Sequence, residues 1–222
     1  MQSLPPAGTG DRHGHAQTLT DQALALTDQG QFEQAAELFR QALSIFREVG
    51  DRSGEGQTLN NLGGVLAQQG RLEEASEHCR QALAIAREVG DRYGEGQTLN
   101  NLGRILAKQG RLEEAADHYL QALSIAREVG DHRAEAATLA NLGTARAEQG
   151  NADQAGESWR AALAIYEQRG APEAQHFGRS CSNWTASLAA HGPLVAVAAE
   201  ASRAGPHRRS AGRAGAHLAP EA

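Results

Sequence analysis

The sequence contains little cysteine, few aromatic side chains and no long apolar run. Only 2 of its 222 residues are cysteine. Cys79 and Cys181 lack the spacing of metal ligands or of a dithiol motif, so a reducing compartment is favoured. The longest apolar run, residues 194–199, is too short to cross a bilayer, and no apolar signal segment opens the chain. We therefore expect a cytoplasmic protein without membrane contact.

The scarcity of aromatic residues limits how the core can be built. Aromatics make up 4% of the chain, whereas hydrophobic residues make up 40%. The core must therefore consist mainly of Ala, Leu, Ile and Val. Ala and Leu are among the strongest helix formers, and small side chains let helices approach closely. The composition therefore favours closely packed helices.

Signals for catalysis and for nucleic-acid binding are also missing. The chain has no GxxxxGK[ST] phosphate loop, no HExxH and no GxSxG motif, so we expect no enzyme activity, catalytic residue, metal or cofactor. Residues 171–222 contain three acidic residues and five arginines, a net charge of +2. This leaves −8 for residues 1–170 from the total of −6. Phosphate binding needs clustered Lys or Arg, so the acidic part is not expected to bind nucleic acid.

The most informative feature present is a repeat of forty residues. Near-identical copies begin at Asp51, Asp91 and Asp131, and a diverged copy begins at about Asp11. A period of this length predicts an α-solenoid, in which stacked units bury one continuous core. We expect an array over residues 11–170 preceded by a disordered segment, 1–10. The units are 11–50, 51–90, 91–130 and 131–170.

Each unit is predicted to fold as two helices joined at a central glycine. In the second unit, apolar residues recur at helical spacing before and after Gly70. Gly63 lies inside the first helix, where glycine is costly, so it predicts close approach of the second helix at the small residue Ala75. Charged residues such as Arg87 and Glu88 are interpreted as solvated helix faces.

The motif of these units resembles the tetratricopeptide repeat. The resemblance rests on Leu62, Gly63, Gly70, Leu72, Ala75, Ala82 and Leu83. The unit length and the phrases TLNNLG and ALAIAREVGD are similar to the longer subclass in kinesin light chains, Leu-Gly-Asn-repeat adaptors and bacterial regulators. The resemblance implies an all-α, right-handed solenoid of about four hairpins that acts as a protein-binding adaptor. It also implies that the first helices line a concave groove.

One asparagine recurs at the same mid-helix place in three units, as Asn61, Asn101 and Asn141. Asparagine is a poor helix former, but its carboxamide offers donors and an acceptor to an extended peptide backbone. The resemblance implies the same role, because asparagines at this place hold ligand backbone in related arrays. The predicted peptide-binding residues are these three with Gln57, Asn60, Gln97, Asn100, Arg104 and Lys108. The two cations would attract an acidic side chain or a terminal carboxylate.

Several alternatives stay open at this point. Recent duplication alone explains shared asparagines, and the amides would then only solvate a surface. The chain could instead be a sensory or regulatory module related to multidomain bacterial regulators, with NTPase or DNA-binding partners. A helix at 171–191 is expected to cap the last unit. The residues after it, 192–222, are expected to form a disordered tail. Without such a cap, the array could self-associate through its end.

Overall fold

A computed structural model describes residues 9–170 together with Ala174, and within them the chain forms helices and no strand. The helices are α1 Thr9–Asp28, α2 Phe32–Val49, α3 Arg52–Gln68, α4 Leu72–Val89, α5 Arg92–Lys108, α6 Leu112–Val129, α7 His132–Glu148 and α8 Ala152–Gln168. None of the eight combines the length and the apolar character that a membrane span requires. The predicted all-α fold is confirmed. The expected cap and tail fall outside the described residues, except for Ala174, whereas α1 starts within the segment expected to be disordered.

A glycine–aspartate pair separates each unit from the next, as at the junction of α4 and α5. Gly90 has a φ of 73°, in the left-handed region that favours glycine, and it ends α4. The next residue, Asp91, accepts a 2.8 Å hydrogen bond from the backbone N–H of Gly94 and so caps α5. The same pair occurs at Gly50–Asp51 and Gly130–Asp131. Local sequence therefore fixes the three junctions between units.

A glycine inside α5 allows close packing within the third hairpin. A Cβ atom at Gly103 would lie only 2.6 Å from Cε1 of Tyr119, a buried side chain of α6. Equivalent close approaches pair Gly63 with Cys79 and Gly143 with Trp159. The predicted close approach is confirmed, but the opposing surface is mainly the larger side chain of the second helix rather than the small alanine.

The first helices of neighbouring units contact one another across the stack. α1 contacts α3, α3 contacts α5, and α5 contacts α7. In a curved stack, the elements that meet across units lie on its inner side. We refer to α1, α3, α5 and α7 as the inner layer. The hairpins therefore form the predicted α-solenoid.

Ion pairs around a buried carboxylate tie the second unit to the third. Glu95 of α5 is 7% exposed and accepts hydrogen bonds from Arg87 of α4 at 2.8 Å and from Arg92 at 2.6 Å. Arg92 also donates to Glu128 at the end of α6. The same arrangement surrounds Glu55 with Arg47, Arg52 and Glu88. Arg87 stays 52% exposed, as the sequence pattern predicted, but the turn at the unit boundary also brings the next unit's carboxylate within its reach.

These carboxylates should make the array sensitive to acid. Burial alone would raise the pKa of Glu55 and of Glu95, but hydrogen bonds from arginines outweigh it and hold each pKa below the ordinary 4.5. A lowered folded-state pKa gives stabilisation that is full above pH 4.5 and lost as the pH falls through the folded value. We expect the Tm to fall more steeply below about pH 4.5 in the wild type than in a Glu55→Gln/Glu95→Gln variant. Equal slopes in thermal melts of the two proteins would contradict this assignment.

Candidate binding groove

The inner layer contains two neighbouring cavities. One of about 230 Å³ lies between α3, the end of α4 and the start of α5. The other, of about 390 Å³, lies between α5, the end of α6 and the start of α7. Both are lined by Asn60, Asn61, Tyr93 and Gln97, so they form one continuous surface. The groove is defined here by Gln57, Asn60, Asn61, Tyr93, Gln97, Asn100, Asn101 and Arg133.

The structure brings six of the nine sequence-predicted residues to this groove. They are Gln57, Asn60, Asn61, Gln97, Asn100 and Asn101. The other three also lie on helices of the inner layer but line neither cavity. Each of them donates a hydrogen bond to another residue of the inner layer. Asn141 donates to Asn100, and Arg104 donates to Asn101 over 3.4 Å. Lys108 donates from Nζ to the carbonyl oxygen of Ala67 in the preceding unit at 3.1 Å.

Carboxamides of the inner layer are paired between units. Nδ2 of Asn101 donates to Oδ1 of Asn60 at 3.0 Å, and Nδ2 of Asn141 donates to Oδ1 of Asn100 at 3.1 Å. Asn60 is 8% exposed, so its side chain lies mostly beneath the surface of the groove. The sequence predicted the two adjacent asparagines of a unit as equal ligand contacts. In the structure one accepts a bond from the next unit, and the other donates to the preceding unit.

The three recurring asparagines Asn61, Asn101 and Asn141 are called the ladder, and Asn61 differs from the other two. The residue equivalent to Asn60 in the first unit is Thr20, and its hydroxyl donates to the carbonyl of Ala16 at 3.0 Å. No side-chain hydrogen bond joins Asn61 to any other residue of the described range 9–170. Both the oxygen and the NH₂ group of its carboxamide are therefore free to bond to a ligand.

Charge is distributed unevenly along the inner layer. Arg104 and Lys108 of α5 are exposed cations, and Arg133 lines the larger cavity without an ion pair to any described residue. Burial, and then the nearby charge of Arg104, lowers the pKa of Lys108. The first unit instead carries the exposed acids Asp21 and Asp28. An acidic ligand segment would therefore meet attraction at the third unit and repulsion at the first.

The groove has an apolar wall that the sequence pattern did not predict. Val89 and Val129, at the ends of α4 and α6, are 43% and 41% exposed, and Tyr93 between them is 54% exposed. Val89 and Val129 were not predicted because the family pattern assigns second helices to a layer behind the groove, whereas Tyr93 lies in the first turn of α5. One signal did exist: Tyr93 occupies the place of Ser53 in a nearly identical unit.

The fold and the groove define a class of protein, namely a helical-hairpin solenoid with a groove along its inner layer. A family model described as tetratricopeptide repeat matches residues 54–128 and 94–168. A second model with the same description matches residues 15–49. The matches cover more than half of the chain, so this protein belongs to the tetratricopeptide repeat family.

Solved structures with the same fold include two that are considerably longer than this chain. The first is aspartyl phosphate phosphatase F from Bacillus subtilis, with a TM-score of 0.73, 16% identity and coverage of 85% of this chain and 49% of that one. The second is a Rap protein complexed with competence and sporulation factor, with a TM-score of 0.67, 18% identity and coverage of 83% and 51%. This chain therefore spans about half the length of each.

A third structure is matched over nearly its whole length. It is a putative kinesin light chain with nearly identical tetratricopeptide-like repeats from Podospora anserina, with a TM-score of 0.65 and 18% identity. The match covers 86% of this chain and 97% of that one. At these identities the three likenesses establish a shared fold and nothing further. A search of curated proteins found no match.

Proposed function

We propose that this protein is a non-catalytic scaffold that binds an extended peptide segment of a partner protein in the groove. The observation that carries the proposal is the row of amide side chains along one continuous surface of two successive units. Gln57, Asn61, Gln97 and Asn101 all belong to this surface. Carboxamides both donate and accept hydrogen bonds, as the backbone of an extended peptide does.

The chemistry of the groove suggests which peptides it would favour. The wall formed by Val89, Tyr93 and Val129 would bury an apolar ligand side chain. Arg104 and Arg133 would attract an acidic side chain or a terminal carboxylate. The ligand class is therefore an extended segment that carries both an apolar and an acidic group. The Rap protein solved in complex with competence and sporulation factor supports the use of this fold for binding.

Removing two ladder amides should weaken binding of a peptide selected from a random library on the wild-type protein. Each lost hydrogen bond is worth about 1 kcal/mol, so Asn61→Ala/Asn101→Ala should weaken binding about tenfold or more in calorimetric titrations. Gln41→Ala is a matched control, because Gln41 is an exposed amide on α2, outside the inner layer. It should bind like the wild type. Unchanged affinity of the double variant, with its helical circular dichroism intact, would refute the role of the ladder.

A second candidate is a sensory or regulatory module that works with an NTPase or a DNA-binding protein. It is favoured by the likeness to two structures of which this chain spans about half, one of them an aspartyl phosphate phosphatase. Affinity capture with the wild type and with Asn61→Ala/Asn101→Ala separates the two proposals. If both forms capture the same NTPase or DNA-binding protein, that partner binds outside the groove, and the regulatory module is favoured.

A further inference from the structure

We propose that Asn60 and Asn100 are positioning residues, which hold the ladder side chains Asn101 and Asn141 in place before a ligand binds. The groove would then be pre-organised at the third and fourth units, whereas Asn61 in the second unit would be free to rotate. The inference deepens the proposed function and rests on it for the ligand. The positioning itself can be tested without one.

The geometry repeats at two successive unit boundaries. The acceptor oxygen of Asn60 lies 3.0 Å from Nδ2 of Asn101, and that of Asn100 lies 3.1 Å from Nδ2 of Asn141. The hydroxyl of Thr138 also points to the oxygen of Asn100, at 3.4 Å. Each pair joins residues 41 positions apart in the sequence, so the contact depends on how units stack.

The pairing leaves the ladder side chains able to bind. A carboxamide has two N–H donors and one acceptor oxygen, and the contact with Asn60 uses one donor of Asn101. Its oxygen accepts only a long, 3.4 Å contact from Arg104, and its second N–H has no hydrogen bond to another described residue. A side chain that is already held loses less conformational entropy when a ligand binds. Asn101 and Asn141 should therefore contribute more to affinity than Asn61 does.

The first test measures side-chain order in the free protein by 15N relaxation of the Asn Nδ2 groups. In the wild type, the amides of Asn101 and Asn141 should be rigid, and that of Asn61 should be mobile. Asn60→Ala should make Asn101 as mobile as Asn61 and leave Asn141 unchanged. Asn100→Ala should instead make Asn141 mobile and leave Asn101 unchanged. Alanine is compatible with the fold, because Ala140 occupies the same place in α7. A rigid Asn101 in Asn60→Ala, or an Asn61 as rigid as Asn101 in the wild type, would overturn the proposal.

The second test measures affinity for the library-selected peptide. Asn60→Ala and Asn101→Ala should each weaken binding about fivefold. The double variant should bind no more weakly than either single variant, because both substitutions remove the same interaction. Asn60→Asp keeps the acceptor oxygen, so it should keep the amide of Asn101 rigid in the relaxation measurement. Additive losses would mean that Asn60 contacts the ligand independently, and this would overturn its positioning role. If Asn101→Ala leaves affinity unchanged, the proposal that the ladder binds the peptide is refuted. The relaxation data then still test whether Asn60 and Asn100 hold the ladder side chains in place.

Discussion

Replacing Gly103 by leucine should destabilise the array by about 3 kcal/mol, because there is no space for a side chain at this position. Even a single Cβ atom would lie 2.6 Å from the ring of Tyr119, which is 2% exposed and cannot move into solvent. The two helices of the third hairpin would have to separate. Urea denaturation followed by circular dichroism at 222 nm would measure the loss of unfolding free energy.

The matched control is the same substitution at a glycine with open space around it. A Cβ atom at Gly64 would have no neighbour within 4 Å, and the first unit already carries Leu24 at this position with 42% exposure. Gly64→Leu should therefore stabilise the protein by about 0.5 to 1 kcal/mol through helix propensity. If the two variants lost similar stability, a general intolerance of the inner layer to added side chains would explain the result, and close packing at Gly103 would not.

Glu95→Gln should remove about 2 kcal/mol of stability, because the carboxylate receives two charge-assisted hydrogen bonds in a mostly buried position. A glutamine oxygen is a weaker acceptor, and its amide N–H groups would face the guanidinium donors of Arg87 and Arg92. Because Glu95 lies at the boundary between two units, the loss should also reduce coupling between the halves of the solenoid. Urea titration should show a lower midpoint together with a broader transition.

An exposed ion pair provides the comparison for Glu95. Glu114 pairs with Arg111 within one unit, and both side chains are about half exposed. Surface pairs of this kind contribute little to stability, so Glu114→Gln should leave the urea midpoint unchanged. A similar midpoint shift in both variants would indicate a general effect of net charge on the acidic array. In that case the buried carboxylate would have no special role at the unit boundary.

The same unit boundary also shapes the proposed binding groove. The ion pairs around Glu95 fix α4 against α5, and these two helices together form one wall of the smaller cavity. The Asn60–Asn101 bond joins α3 to α5 across the same boundary. A change in the angle between the units would therefore alter the distance between Asn61 and Asn101. The stability of the boundary and the spacing of the amides proposed to bind a ligand are therefore physically coupled.

The sequence by itself determined the features that depend on residues close in the chain. The forty-residue period, the glycine–aspartate boundaries such as Gly90–Asp91 and the buried place of Cys79 all follow from local turn chemistry and helical periodicity. Six of the nine predicted site residues also line the groove, because residues at equivalent places in stacked units share one side of the inner layer.

Only the tertiary structure decided which partner each polar side chain finds. Arg87 meets Glu95 across a turn, and Asn101 meets Asn60 from a position 41 residues away. These contacts depend on the rotation and separation of neighbouring hairpins, which many packing contacts set together. No local pattern encodes that rotation, so two adjacent asparagines look alike in the sequence. In the folded chain, one lies beneath the surface as an acceptor and the other faces the groove.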